Sequence, residues 1–187
     1  MTDPHDRAQA PVDPTTPADA EPIDPELLEI LQSAFDHARQ GEVQALSTLL
    51  SHGLPPNLRN HKGDTLLMLA AYNGQHEAAR ALLDAGADPE LPNDQGQTPL
   101  QGVAFKGDME MARLLLDRGA QVQGTAPDGR TPLMFAAMFG RIELMQLLLA
   151  LGADPAARDA RGTTALDAAR MMGSHEAAAI LEGLAQG

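Results

Sequence analysis

The sequence predicts an all-α solenoid: about five helix-turn-helix units of 33 residues, joined by β-turn loops and closed by capping end units. Three observations predict it. Glycine recurs in phase at a step of 33, as Gly63, Gly96, Gly129 and Gly162. Threonine and leucine keep the same step, as Thr65, Thr98, Thr131, Thr164 and as Leu67, Leu100, Leu133, Leu166. Two further glycine series, Gly41, Gly74, Gly107, Gly140, Gly173 and Gly53, Gly86, Gly119, Gly152, share that step. A period of this length marks a repeat architecture, in which each unit covers the apolar face of its neighbour.

The chain opens on a different composition. Residues 1–24 carry Pro4, Pro11, Pro14, Pro17 and Pro22 with the acids Asp3, Asp6, Asp13, Asp19, Glu21 and Asp24. Their only large aliphatic residues are Val12 and Ile23. So little apolar surface cannot offset the entropy of ordering, so a disordered acidic, Pro-rich tail is expected. The repeat domain then covers 25–187, with units near 25–59, 60–92, 93–125, 126–158 and 159–187. Pro25 to Gln40 reads as a helix with no turn motif before it, as suits an N-terminal cap.

Within each full unit the elements follow from local chemistry. Threonine of the 65/98/131/164 series is an N-cap whose hydroxyl can accept from an orphan backbone N–H. Pro99 and Pro132 follow at the first helical position, where a missing N–H costs nothing. Thr98-Pro99-Leu100-Gln101 fits a capping box. A short helix runs to Gly74, Gly107, Gly140 or Gly173. A second helix is apolar at helical spacing, as Ala78, Leu82, Leu83, then Ala112, Leu115, Leu116, then Leu144, Leu148, Leu149. Gly86, Gly119 or Gly152 ends it. Asn93-Asp94-Gln95-Gly96 and Ala126-Pro127-Asp128-Gly129 carry β-turn chemistry. In the last unit Arg170 replaces Ala71, Ala104 and Ala137, and Glu182 replaces Leu83, Leu116 and Leu149. These are the polar substitutions expected of a terminal cap, and the array reads as complete.

Two motifs then point to a family. Gly96-Gln97-Thr98-Pro99-Leu100 and Gly129-Arg130-Thr131-Pro132-Leu133 match G-x-T-P-L. Leu82-Leu83-Asp84-Ala85-Gly86-Ala87-Asp88 and Leu148-Leu149-Ala150-Leu151-Gly152-Ala153-Asp154 match L-L-x-x-G-A-D. Over residues 25–184 the chain resembles the ankyrin-repeat family. The resemblance implies a structural role for Asp88 and Asp154, and a partner protein bound on the concave side made by the turn tips and short helices. One departure is the histidine that follows T-P-L in the family. Here Met68, Gln101, Met134 and Asp167 stand there, so the family's imidazole network is absent. The third unit also places Gly102 and the β-branched Val103 inside a short helix. Glycine there costs about 1 kcal/mol relative to alanine. Either that helix is the weak point of the array, or another backbone approaches it closely.

Composition narrows the function. Of 187 residues 43% are apolar and 3% aromatic, so the core must be built from Leu, Ala and Met. There is no cysteine, which removes disulfides and thiolate chemistry. The net charge of −13 disfavours nucleic acid and anionic membrane surfaces. No basic leader with an apolar run opens the chain, and no stretch is apolar enough to span a membrane. A soluble, cytoplasmic, monomeric product is expected. No nucleotide-binding, nucleophile-elbow or zinc-protease motif occurs, and no carboxylate pair sits in a setting that would raise a pKa. The six histidines (5, 37, 52, 61, 76, 175) form no ligand set. Neither catalytic residues, nor a cofactor, nor a metal site is expected.

The reading is therefore a non-enzymatic scaffold that binds another protein. Its candidate contact residues precede the glycines that close the short helices: Tyr72-Asn73, Phe105-Lys106, Met138-Phe139 and Met171-Met172. The first members are 33 apart and should stack into one apolar stripe, a composition favoured at interfaces. The competing reading is that they pack under the turns and extend the core. The exposed turn tips should supply His61, Lys62, Asp64, Asp94, Gln95, Gln97, Asp128, Arg130, Arg161 and Thr163 as a polar rim. The partner could be an enzyme needing a companion or, for a secreted bacterial effector, a host protein. With 2 Lys against 11 Arg and abundant Ala, the chain resembles small bacterial ankyrin proteins. Hydrogen exchange checks the weak-point reading: residues 99–106 should exchange faster than 132–139, and equal protection would refute it.

Overall fold

The computed structural model describes residues 24–124 and 126–185. The acidic leader, residues 1–23, lies outside them, as do Thr125 and the last two residues. Ten helices occur among the described residues. They are α1 (Pro25–Gln40), α2 (Val43–Ser51), α3 (Leu66–Tyr72), α4 (His76–Asp84), α5 (Pro99–Lys106), α6 (Met109–Asp117), α7 (Pro132–Met138), α8 (Ile142–Ala150), α9 (Ala165–Met171) and α10 (His175–Ala185). One isolated antiparallel bridge, Arg59 to Thr65, closes the first turn.

The helices form two layers. In one, α1, α3, α5, α7 and α9 follow in a row, each touching the next. In the other, α2, α4, α6, α8 and α10 do the same, and each second helix packs on the first helix of its own pair. The first-helix row is lined by small buried residues, among them Ala70, Ala71, Ala104, Ala136, Ala137 and Ala169. Small side chains let helix axes approach closely. The second row meets through larger residues, Leu82, Met111, Leu115, Met145 and Leu148, all fully buried. The repeated Leu67, Leu100 and Leu133 are also fully buried. Each such leucine contributes about 1.5–3 kcal/mol, and its truncation to alanine costs about 2–5 kcal/mol.

Polar side chains join each pair to the next. The residue that opens each second helix reaches back to a carbonyl of the preceding unit. Gln75 Nε2 donates to Arg39 O at 3.0 Å, Arg141 Nε to Phe105 O at 3.0 Å, and Ser174 Oγ to Met138 O at 2.8 Å. Asp108 breaks the series by accepting from His76 Nε2 at 2.9 Å while capping α6 through Met111 N–H. At the far end Arg170 pairs with Glu182 at 2.7 Å, so the two polar replacements of the last unit satisfy each other.

The N-caps are not alike. The hydroxyls of Thr65, Thr131 and Thr164 accept from Met68, Met134 and Asp167 N–H at 3.1, 3.3 and 3.2 Å. Thr98 is the exception. In its capping box Gln101 Oε1 accepts from Thr98 N–H at 3.0 Å. The Thr98 hydroxyl is buried with no partner among the described residues. Gln101 Nε2 donates across the unit boundary to Arg130 O at 2.8 Å and, within its own unit, to Gly124 O at 3.2 Å. An amide thus makes the bridge between units although no imidazole stands at this position.

The readings of the Gly102 helix need one correction. No backbone approaches Gly102; its neighbour is the edge of the Tyr72 ring, 3.4 Å from where a Cβ would stand. Replacing threonine by isosteric valine separates the two kinds of cap. Thr131→Val should lower the denaturant-derived stability by about 1 kcal/mol, because it removes a made bond. Thr98→Val should leave stability unchanged or raise it, because the lost hydroxyl is unsatisfied.

Candidate functional site

The candidate site is the face formed by the turns and the exposed side of the first helices. Three of the turns are braced by a side chain of one recurring position. Asn60 Oδ1 accepts from Lys62 and Asp64 N–H at 2.8 and 2.9 Å. Asn93 Oδ1 does so from Gln95 and Gln97, both at 3.0 Å. Asp159 Oδ1 does so from Arg161 and Thr163 at 2.9 and 2.8 Å. In the remaining turn this position is Ala126, and Asp128 braces the chain instead through Arg130 N–H at 3.2 Å. Turns also bond to each other. Asp94 N–H donates to Lys62 O at 3.1 Å and Ala160 N–H to Asp128 O at 2.7 Å. The equivalent donor between them would be residue 127, and Pro127 has no N–H. Its ring fills the space where Gly96 lacks a side chain.

The aromatic residues meet along the first helices. Phe105 stacks on Tyr72 with centroids 6.0 Å apart and rings 16° from parallel. On its other side it meets Phe139 edge-on at 4.4 Å. Such pairs contribute about 0.5–1.5 kcal/mol beyond their buried area. The ring row therefore passes through 72, 105 and 139; residue 138, which the spacing marks, is a methionine and has no ring. The helix ends also differ between units. α5 runs one residue further than α3 and α7 and closes directly on Gly107, whose φ of 83° is open to glycine. α7 stops at Met138, which leaves Phe139 as its cap residue.

The other predicted contact residues are placed as follows. Tyr72 is 42% exposed, and Met171 and Met172 are 77% and 56% exposed. Phe139 is partly buried and packs against the core. Met138 and Phe105 are half-buried. Asn73 is exposed and its side chain donates to Leu69 O at 2.8 Å. Lys106 Nζ stands 4.4 Å above the Tyr72 ring, and the Arg130 guanidinium 5.1 Å above that of Phe135. Both are within cation–π range. Lys62, Asp94 and Arg161 are exposed, and Gln97 is half-buried. Arg59 holds Asp94 at 3.0 Å, and Asp128 holds Arg130.

What the spacing did not reveal is a groove of 710 Å³ on this face. Met68, Leu69, Tyr72, Phe105 and Phe135 wall it, Thr98, Gln101 and Gly102 lie along it, and Lys62, Asp64, Asp94, Gln95 and Gln97 form its rim. Its volume falls within the range of about 300–1,000 Å³ typical of ligand pockets. The signal for it was present in one column of the repeat. Positions 69, 102, 135 and 168 read Leu, Gly, Phe and Ala.

Among the described residues three carboxylates have shifted pKa values. Thr163 N–H lowers that of Asp159, and Thr164 N–H and hydroxyl lower that of Asp167. Glu90 is the exception to the expectation that no acid is raised. Burial pushes it up against the pull of Gln121 N–H, which it accepts at 2.9 Å. Asp88 adds to the rise. Glu90 joins two connectors, which makes it a structural group. Asp88 and Asp154 likewise brace their own loops, accepting from Glu90 and Ala156 N–H, each at 2.8 Å.

Short helix pairs in two rows, with braced turns and first-helix ends on one face, define a helical repeat solenoid. A family model described as ankyrin repeats (3 copies) matches residues 34–126 and 104–184. The chain belongs to the ankyrin-repeat family. Over 52 residues it is 62% identical to an ankyrin repeat protein of Pseudomonas aeruginosa. That segment spans 28% of this chain and 30% of the relative. Ankyrin repeats generally mediate protein–protein interaction and are typically non-enzymatic. Among the described residues no helix is long and apolar enough to cross a membrane.

The carboxylates predict opposite pH behaviour. The lowered Asp159 stabilises the fold above its unfolded-state pKa, and that contribution fades as pH falls through its folded value. Asp159→Ala should therefore flatten the acid limb of a stability profile. Raised Glu90 favours the folded state only when protonated. Glu90→Gln keeps the acceptor for Gln121, so it should raise the thermal midpoint at neutral pH. That gain should vanish as pH falls through the Glu90 pKa, where the wild-type residue loses its charge.

Proposed function

We propose that this protein is a non-enzymatic binding scaffold that holds another protein on the face formed by its turn tips and first helices. The observation that carries the reading is the apolar row there, exposed at its two ends and half-buried between them. Monomeric surfaces rarely leave large apolar side chains clustered without use, and aromatic and methionine side chains are favoured at interface centres. Tyr72, Met171 and Met172 are all open to solvent on this face, and Phe105 and the groove lie between them. The charged and amide groups of the turns surround the row as a polar rim, which fixes orientation and register more than affinity. Rigidity supports the same role. The braced turns and stacked rings are ordered before any partner arrives, so little ordering entropy is lost on association. On this reading the chain acts as a soluble monomer in the cytoplasm, and the acidic leader keeps it soluble.

The test is capture of the natural partner by the tagged full chain, followed by direct binding of the identified protein. Tyr72→Asp combined with Met171→Asp should weaken that binding at least about tenfold, the scale expected when central apolar contacts are lost. Circular dichroism should not change, because both side chains are exposed. Full binding by the double variant would count against this face.

A further inference from the structure

The groove differs from the rest of the face in two ways, and together they describe what fits it. The first is a missing side chain. Leu69 and Phe135 occupy the equivalent positions in the units on either side, but the third unit has Gly102. Gly102 lies inside α5 with an ordinary helical backbone, so no turn requires glycine there. Its absence of a side chain leaves a gap bounded by Leu69, Tyr72, Phe105 and Phe135. A Cβ at this position would meet one atom within 4 Å, on the Tyr72 ring edge at 3.4 Å, which is ordinary contact.

The second is charge. The chain contains 26 acids and 13 basic residues, of which two are lysines, Lys62 and Lys106. Both stand at this groove. Lys62 lies on its rim, and Lys106 Nζ sits over the Tyr72 ring that walls it. Among the described residues neither lysine pairs with a carboxylate, although six of the eleven arginines do so with an aspartate or glutamate. The carboxylates of the rim are already engaged. Asp64 accepts from the side-chain amides of Asn93 at 2.9 Å and Asn60 at 3.3 Å, and Asp94 is held by Arg59. Two ammonium groups with no ion-pair partner among the described residues therefore flank an apolar gap in a strongly acidic protein, on a rim that also carries Asp64 and Asp94. Thr98, with its unsatisfied hydroxyl, lines the same groove.

We infer that this groove takes an acidic segment of a partner protein, with one bulky apolar side chain in the gap over Gly102 and carboxylates beside it on Lys62 and Lys106. The inference rests on the protein-binding reading above and names the chemistry of the partner. A basic segment would bring like charge to both lysines, and a polar one would leave the apolar walls uncovered. In free protein the cation of Lys106 shields the Tyr72 face; in the complex it turns to a carboxylate.

The experiment uses the full chain with methyl-labelled methionine and three synthetic peptides. One is acidic with a single central phenylalanine. The second has alanine in place of that phenylalanine, and the third has lysine in place of every acid. Met68 lines the groove, so its methyl signal reports binding. The acidic phenylalanine peptide should shift that signal, and each of the other two should bind at least about tenfold more weakly. Gly102→Leu supplies the missing side chain from within and should cost the same factor with helical content unchanged. Should that variant unfold, Gly102→Ala replaces it, with a smaller but measurable loss. Lys62→Glu with Lys106→Glu should also cost about tenfold. Equal affinity for the lysine peptide, or full affinity in the Gly102 variants, would overturn the inference. So would tightening on neutralising the acids of residues 1–23, since the occupant would then be the chain's own leader. With the natural partner in hand, loss of capture in the Tyr72/Met171 variant but not in Gly102→Leu would overturn the groove and leave the face. Capture retained by both would remove the face as well.

Discussion

Helices of seven to nine residues lose more in nucleation than their own hydrogen bonds return, so none of the inner helices of this chain can stand alone. Each exists because the next pair covers it. That dependence explains why the apolar residues of the first-helix row are so small. Ala70, Ala104 and Ala137 let successive helices lie close enough to bury each other's backbone and the leucines beneath. The same dependence explains the recurring polar bridges from one unit to the next. Gln75, Arg141 and Ser174 all satisfy a carbonyl in the last turn of a first helix, where intrahelical partners run out.

Once stacking is secured by the leucine and alanine positions, the outward positions of the first helices are free to vary. They vary in an informative way. The third unit gives up the large residue at position 102 and the hydroxyl bond of its N-cap, and it gains a glutamine that bridges to the fourth unit. At the boundary Gln101 binds Arg130 O with its amide nitrogen while its oxygen keeps the local bond from Thr98 N–H. What results is an opening with ordered walls. A rigid groove of this kind follows from the economy of repeats: one column can be hollowed while its neighbours carry the stability.

Electrostatics reinforces the separation of roles. Acids dominate the chain as a whole, yet both lysines stand beside the groove and lack carboxylate partners among the described residues. Most of the remaining acids face solvent or brace their own loops, as Asp88, Asp154 and Asp159 do. Such charges serve solubility and turn geometry. The uncompensated positive charge is thus local, and it lies where the apolar side chains are also exposed.

The sequence by itself determined the repeat, the two helices of each unit, their caps and the leucine core, because these depend on residues close in the chain or separated by one fixed step. It also marked Gly102 as out of place and singled out the aromatic positions before the cap glycines. The tertiary structure decided what those anomalies mean. Whether Gly102 weakens a helix or opens a groove depends on Leu69, Tyr72 and Phe135 from other units, which local pattern cannot place. The contact of Phe105 with Phe139, one residue past the position that the spacing marks, is between units and was fixed only by packing. Burial of Glu90 and the unpaired state of Lys62 and Lys106 likewise arise from distances between units. Composition states how many charges a chain has, and only packing states which of them find partners.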